Sequence, residues 1–205
     1  MKLPEHLQNL DWAKGGGLIP AIVQHALGGE VLMLGYMNEA AMRASLEDGL
    51  VTFYSRSRQC LWQKGETSGN RLELVSISPD CDADTVLVQA LPAGPVCHKG
   101  TRTCFAGAPV PPLAFLASLD ALIAARRSAD PATSYTARLL QGSLSRAAQK
   151  VGEEGVEVAL AAVGETDDAF ASECADLLYH LMVLLQARGL TLADAVAVLE
   201  TRSGA

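Results

Sequence analysis

Nothing in this 205-residue chain is apolar for long enough to cross a bilayer. The most apolar helical run, LLYHLMVLLQA (177–187), is short and interrupted, where a spanning helix needs ~20 apolar residues. The opening residues, MKLPEHLQNLDW, lack the apolar stretch of a targeting segment, so the expected compartment is the cytoplasm, away from any membrane. Basic residues are scarce: 16 Lys and Arg against 23 Asp and Glu give a net charge of −7. That balance argues against a nucleic-acid partner but leaves room for a phosphorylated small molecule, which needs only a few local cations. Internal repeats and low-complexity tracts are missing. Cysteines number five, an odd count without a regular framework, in keeping with a reducing compartment. No C-x-x-C pair occurs among them, so a closed structural zinc knuckle is not indicated. The His-x-Glu and Pro-Cys-x-x-Cys signatures of zinc nucleoside deaminases are absent too.

What is present divides in two. Residues 18–105 alternate as strands do: LIPAIVQHA and EVLMLGYM flank an LGG hairpin signal, and VTFYSRS, RLELVSIS and DTVLVQAL follow. Between them NEAAMRASLEDG reads as a helix, with Asn38 as N-cap and Gly49 just past its end. After the proline run AGAPVPPLAF the period changes to that of helices. PLAFLASLDALIAARRSA, SLSRAAQKVGEEGVEVALAAVG, DDAFASECADLLYHLMVLLQARG and TLADAVAVLETR all carry it. The expectation is an α+β domain over 1–108, rich in β, followed by an all-α helical bundle over 109–205.

Three of the cysteines fall in SPDCDADTVLVQALPAGPVCHKGTRTCF (78–105). Cys81, Cys97 and Cys104 can supply three thiolates. Three soft ligands without an obvious fourth suit an open, catalytic Zn2+ that activates water. His98, beside Cys97, is then a natural proton-transfer group. Asp80, Asp82 and Asp84 are too hard for that site and suit Mg2+. On an extended segment the three aspartates share one face and Cys81 takes the other. Buried cysteines and turn-capping aspartates are the bland reading of each residue alone.

Upstream, YSRSRQCLWQKGETSGN (54–70) places Arg56 and Arg58 on one face of a strand, then Lys64 and a Gly/Ser/Thr loop with Thr67 and Ser68. Guanidinium groups and exposed backbone N–H groups bind phosphate oxygens, and Trp62 offers a stacking face for a base. In the helical half, Glu154 and Glu157 are three residues apart, as are Glu173 and Asp176. Both pairs lie symmetrically about residue 165, in the break VGETDD. An antiparallel hairpin turning there sets Glu157 beside Glu173 and Glu154 beside Asp176. The acids continue apolar stripes, so they should point inward, where a cation such as Mg2+ must neutralise them. A solvated set of surface acids is the alternative.

These motifs carry a resemblance. YSRSRQCLWQKGETSGN with DCDADT…CHKGTRTCF resembles phosphoribosyl-AMP cyclohydrolase. SYTARLLQG…KVGEEGVEVALAA…ECADLLYHLMVLL resembles phosphoribosyl-ATP pyrophosphohydrolase, and together they resemble the bifunctional histidine-biosynthesis enzymes. The likeness runs from about residue 15 to 202. It implies Mg2+ at Asp80, Asp82 and Asp84, and Zn2+ at Cys81, Cys97 and Cys104 in a site formed between the subunits of an intertwined homodimer. It also implies the Glu-x-x-Glu…Glu-x-x-Asp metal signature at Glu154, Glu157, Glu173 and Asp176. The implied reactions are release of pyrophosphate from phosphoribosyl-ATP, then hydrolytic opening of the adenine ring. His98, Glu154 and Glu157 are the expected catalytic groups. Lys99 and Gly155 depart from the usual pattern without removing a ligand. A non-catalytic alternative is a zinc-stabilised β module joined to a helical dimerisation domain.

Overall fold

The alternating apolar residues of the first half become strands whose buried faces meet. In the computed structural model, which describes residues 3–111 and 113–204, the first of two compact units spans Met1–Ala114. Its main sheet runs β2 (Val31–Met37), β1 (Ile19–His25), β6 (Val86–Pro92), β5 (Leu72–Pro79). β1 pairs antiparallel with β2 and parallel with β6, and β5 pairs antiparallel with β6. Along β1 the buried residues are Ile19, Ala21 and Val23, and along β6 they are Val86, Val88 and Ala90. That period of two puts one apolar face on each strand. Helix α1 (Glu39–Asp48) covers it with Ala41 and Met42. Asn38 caps α1 by accepting the Ala41 N–H, and Gly49 ends it in the left-handed region at φ 68°.

A second sheet, β3 (Thr52–Ser55) with β4 (Cys60–Gln63), packs Phe53 into the same core. Gly35 of β2 makes room for it: a Cβ there would lie 2.4 Å from the Phe53 ring. β4 was not expected from the sequence. Ser55 pairs with Cys60, so residues 56–59 form a tight turn, closed by the Arg58 N–H on Ser55 Oγ and by Gln59 at φ 51°. Arg56 and Arg58 therefore lie in a turn, not on one face of a strand.

His25 sits where β1 ends. Its Nδ1 accepts the N–H groups of Leu27 and Gly28 at 3.2 and 3.1 Å. Partial burial holds its pKa below the usual imidazole value, aided by the Arg102 charge and opposed by Glu30. The folded unit thus binds its proton less readily than the unfolded chain. Stability from this group is present above pH ~6.5 and is lost as the pH falls through that value towards the depressed one. Thermal unfolding of the first unit should therefore drop on acidification from neutrality. His25→Asn keeps an acceptor and cannot titrate, so its drop should be shallower; parallel curves would exclude His25.

The second unit, Phe115–Ala205, is helical: α2 (Ala114–Ala125) enters it, followed by α3 (Tyr135–Gln141), α4 (Leu144–Gly164), α5 (Asp167–Ala187) and α6 (Leu192–Ser203). Ser134, Ser143, Thr166 and Thr191 cap α3 to α6, each accepting a backbone N–H. Helix α3 was not expected from periodicity. Ile123, Leu139, Leu140, Met182 and Val183 form the core. The α4–α5 hairpin turns at Glu165 and Thr166, where the sequence symmetry placed it. Pro112, one of the three prolines of the boundary run, lies outside the described residues. Among the described residues no single helix is long and apolar enough to cross a membrane; α5 and α6 meet that test only as a pair bent by 102°.

Candidate active sites

Two loops of the first unit meet across a cleft of about 540 Å3. One loop follows β4. Its Gly65 has φ 83°, and a Cβ there would lie 2.4 Å from the Asn70 backbone, so only glycine fits this fold of the chain. The other loop carries Cys97 to Cys104. It closes through the Cys97 N–H on the Thr101 carbonyl at 3.0 Å and is pinned to β2 by the Cys104 N–H on the Leu32 carbonyl at 2.8 Å. Arg58, Trp62, Lys64, Thr67, Ser68, Cys97, His98 and Cys104 all line the cleft, with Met33, Gln63 and Asn70. Arg56 does not: its guanidinium lies 3.9 Å over the Tyr36 ring. Trp62 is half-buried and packs on Phe53, with 5.1 Å between ring centroids.

The two cleft thiols differ. The Lys99 N–H and the Thr101 hydroxyl favour the Cys97 thiolate and lower its pKa. Partial burial and the neighbouring Cys97 raise that of Cys104. His98 Nδ1 stands 3.9 Å from Cys97 Sγ. Cys81 does not join them. Among the described residues the compact groups of metal-ligating side chains contain no cysteine. The thiolate set expected from the sequence is therefore incomplete within one chain, because Cys81 sits on the aspartate loop after β5.

That loop gathers its acids differently from the alternation expected of an extended strand. Residues 81–84 turn, with Ala83 at φ 60°, and Asp80 Oδ1 accepts the N–H groups of Asp84 and Thr85. Oxygens of Asp80, Asp82 and Asp84 come within 4.8 Å of one another. A lysine ammonium stands among them: Lys14 Nζ lies 2.9 Å from Asp82 Oδ2 and pairs also with Asp84. Lys14 lowers the Asp84 pKa, and the Thr85 hydroxyl adds to the effect. A hard oxygen set holding a stand-in cation fits a divalent ion.

In the second unit Glu154, Glu157 and Glu173 bring their oxygens within 4.8 Å. Only Glu154 is buried; Glu173 is half-buried, and Glu157 and Asp176 are exposed, against the inward orientation expected for all of them. The apolar stripe behind the acids is partly open as well, with Leu160 62% exposed. Asp176 is outside the compact trio. Lys150 Nζ lies 2.7 Å from Glu154 and 2.8 Å from Glu153, and it lowers the Glu154 pKa. The Glu154 charge in turn raises that of Glu157. His180, buried against α4, contacts the Asp176 carbonyl through Nδ1 at 3.0 Å and Glu154 at 3.4 Å. A carbonyl can only accept, so Nδ1 carries a hydrogen, and Nε2 stands 3.1 Å from the Tyr135 hydroxyl. Lys150 was legible as an i, i+4 partner of Glu154. Lys14, distant in sequence from Asp82, gave no such signal.

The sequence profile of the phosphoribosyl-AMP cyclohydrolase family matches residues 33–106. That of the phosphoribosyl-ATP pyrophosphohydrolase family matches residues 116–203. The histidine biosynthesis bifunctional protein HisIE of Xylella fastidiosa is 60% identical over 196 residues, 96% of this chain and 94% of its own length. The protein of the same name from Xanthomonas axonopodis is 59% identical over 196 residues, with the same shares covered. That from Escherichia coli is 55% identical over 202 residues, 98% of this chain and 99% of its own length.

Proposed function

The chain belongs to the family of bifunctional histidine-biosynthesis proteins, a cyclohydrolase and a pyrophosphohydrolase on one polypeptide, and from that premise we propose which residues perform each step. The enzyme hydrolyses phosphoribosyl-ATP to phosphoribosyl-AMP and pyrophosphate, then opens the adenine ring of phosphoribosyl-AMP. We assign ring opening to residues 1–108 and pyrophosphate release to residues 109–205.

In the first half Arg58, Lys64, Thr67 and Ser68 bind the phosphate, and Gly65 lets the backbone approach it. Trp62 presents a ring face to the base. Cys97 and Cys104, with Cys81 from a second copy of the chain, would hold Zn2+, and a homodimer is needed to complete that set. Zinc of this kind supplies an activated water near neutral pH. His98 would carry a proton from the attacking water to the ring nitrogen. Asp80, Asp82 and Asp84 would hold Mg2+. Arg56, stacked on Tyr36, supports the turn that aims Arg58. In the second half Glu154, Glu157, Glu173 and Asp176 would hold Mg2+, which would neutralise the triphosphate. Lys150 keeps Glu154 ionised and His180 helps to fix it, and Glu157 joins it as the exposed carboxylate of the proposed metal set. The protein works in the cytoplasm.

One observation carries this reading: Arg58, Lys64, Thr67 and Ser68 line the same cleft as Cys97, His98 and Cys104. A timed assay on purified protein with phosphoribosyl-ATP tests it. Pyrophosphate should appear first and ring opening should follow after a lag. Pyrophosphate without any ring opening would leave the cleft without its assigned chemistry.

A further inference from the structure

Three carboxylates within 4.8 Å of one another repel unless something positive lies between them. In the Asp80–Asp82–Asp84 loop that positive group comes from the N-terminal segment. The Asp11 N–H donates to the Ala83 carbonyl at 2.8 Å, and the Lys14 N–H donates to Asp11 Oδ1 at 3.0 Å. The backbone around Lys14 is thereby fastened to the loop, and its side chain reaches Asp82 and Asp84. Because neither anchor involves the Lys14 side chain, the ammonium can swing away without undoing them. The pairing is also open to water: Lys14 and Asp82 are 53% and 59% exposed and Asp84 26%, so their attraction is screened. A divalent ion brings twice the charge to the same oxygens.

We propose that Lys14 is the resident counter-ion of this cluster, holding the acids together in the metal-free protein and competing with a divalent cation for them. The inference rests on reading the cluster as a metal site. Lys150 repeats the arrangement beside Glu154 in the second unit. The competitor is tethered, so metal affinity is set partly by a residue that never touches the metal. Removing it raises the energy of the metal-free state and leaves the bound state unchanged.

Binding of Mn2+ to the full-length protein, measured by calorimetry, tests this. All variants carry Glu157→Gln, to weaken binding at the second unit. Asp84→Asn identifies the signal that belongs to the aspartate cluster. Lys14→Met should bind Mn2+ roughly 1.5- to fivefold more tightly than the Lys14 protein, the range expected for an exposed ion pair. Lys14→Arg keeps the charge and should restore the weaker binding. If Asp84→Asn removes the signal but Lys14→Met binds equally or less tightly, the counter-ion role is wrong while the metal site stands. If Asp84→Asn changes nothing, the metal reading of the cluster fails, and the proposal fails with it.

Discussion

Glu157→Gln should stop pyrophosphate release and spare ring opening. The substitution keeps the shape of the side chain and removes one negative charge. Glu157 is the exposed member of the helical trio, and the charge of Glu154 already raises its pKa. Its ionised form is thus costly without a cation and valuable with one. Losing it should reduce the first step by orders of magnitude, since charge facing a metal stabilises the transition state directly. The variant should leave phosphoribosyl-ATP unconsumed yet convert supplied phosphoribosyl-AMP at the normal rate. Loss of both steps in a folded protein would mean that the two units do not act separately.

The second large effect belongs to the cleft. Cys104→Ser replaces the soft ligand proposed for zinc with a hydroxyl that binds that metal poorly. Cys104 is held beside Cys97 by the Leu32 carbonyl, a backbone bond that serine preserves. The loop should stay in place while bound zinc per chain falls. Ring opening should drop by orders of magnitude, pyrophosphate release should continue, and phosphoribosyl-AMP should accumulate. Mixing this variant with Glu157→Gln should restore the two-step conversion, because the intermediate can diffuse between molecules. Full ring opening by a zinc-depleted Cys104→Ser protein would remove the thiolates from the chemistry.

Much of this was legible in the sequence for a physical reason: periodicity and capping are local. Asn38 and Gly49 marked α1 because a cap acts within one turn. The symmetry of Glu157 and Glu173 about residue 165 placed the α4–α5 turn, since antiparallel neighbours must mirror one another. The failures share a different cause. Arg56 and Arg58 looked like strand residues because nothing nearby announced the partner strand β4. The aspartates looked alternating because a left-handed Ala83 has no residue-type signature, unlike glycine. The open faces of Glu157 and Leu160 could not be foreseen from an amphipathic stripe, which shows that a face is apolar but not what covers it. Lys14 was hidden by its distance along the chain from Asp82.

The parallel pairing of β1 with β6 imposes an order on biosynthesis. Ala21 meets Val86 and His25 meets Ala90, so the sheet closes a loop on the order of sixty residues, with the entropy loss that entails. As the chain leaves the ribosome, β1 can pair with β2 at once, but its other edge stays open until β6 has emerged. That exposed edge is a template for pairing with another chain. The helical hairpin that follows faces no comparable wait, since α4 and α5 are adjacent in sequence. The half made first is therefore the half with the longer exposure to misassembly, and its topology favours a translation rate that delivers Val86–Pro92 without delay.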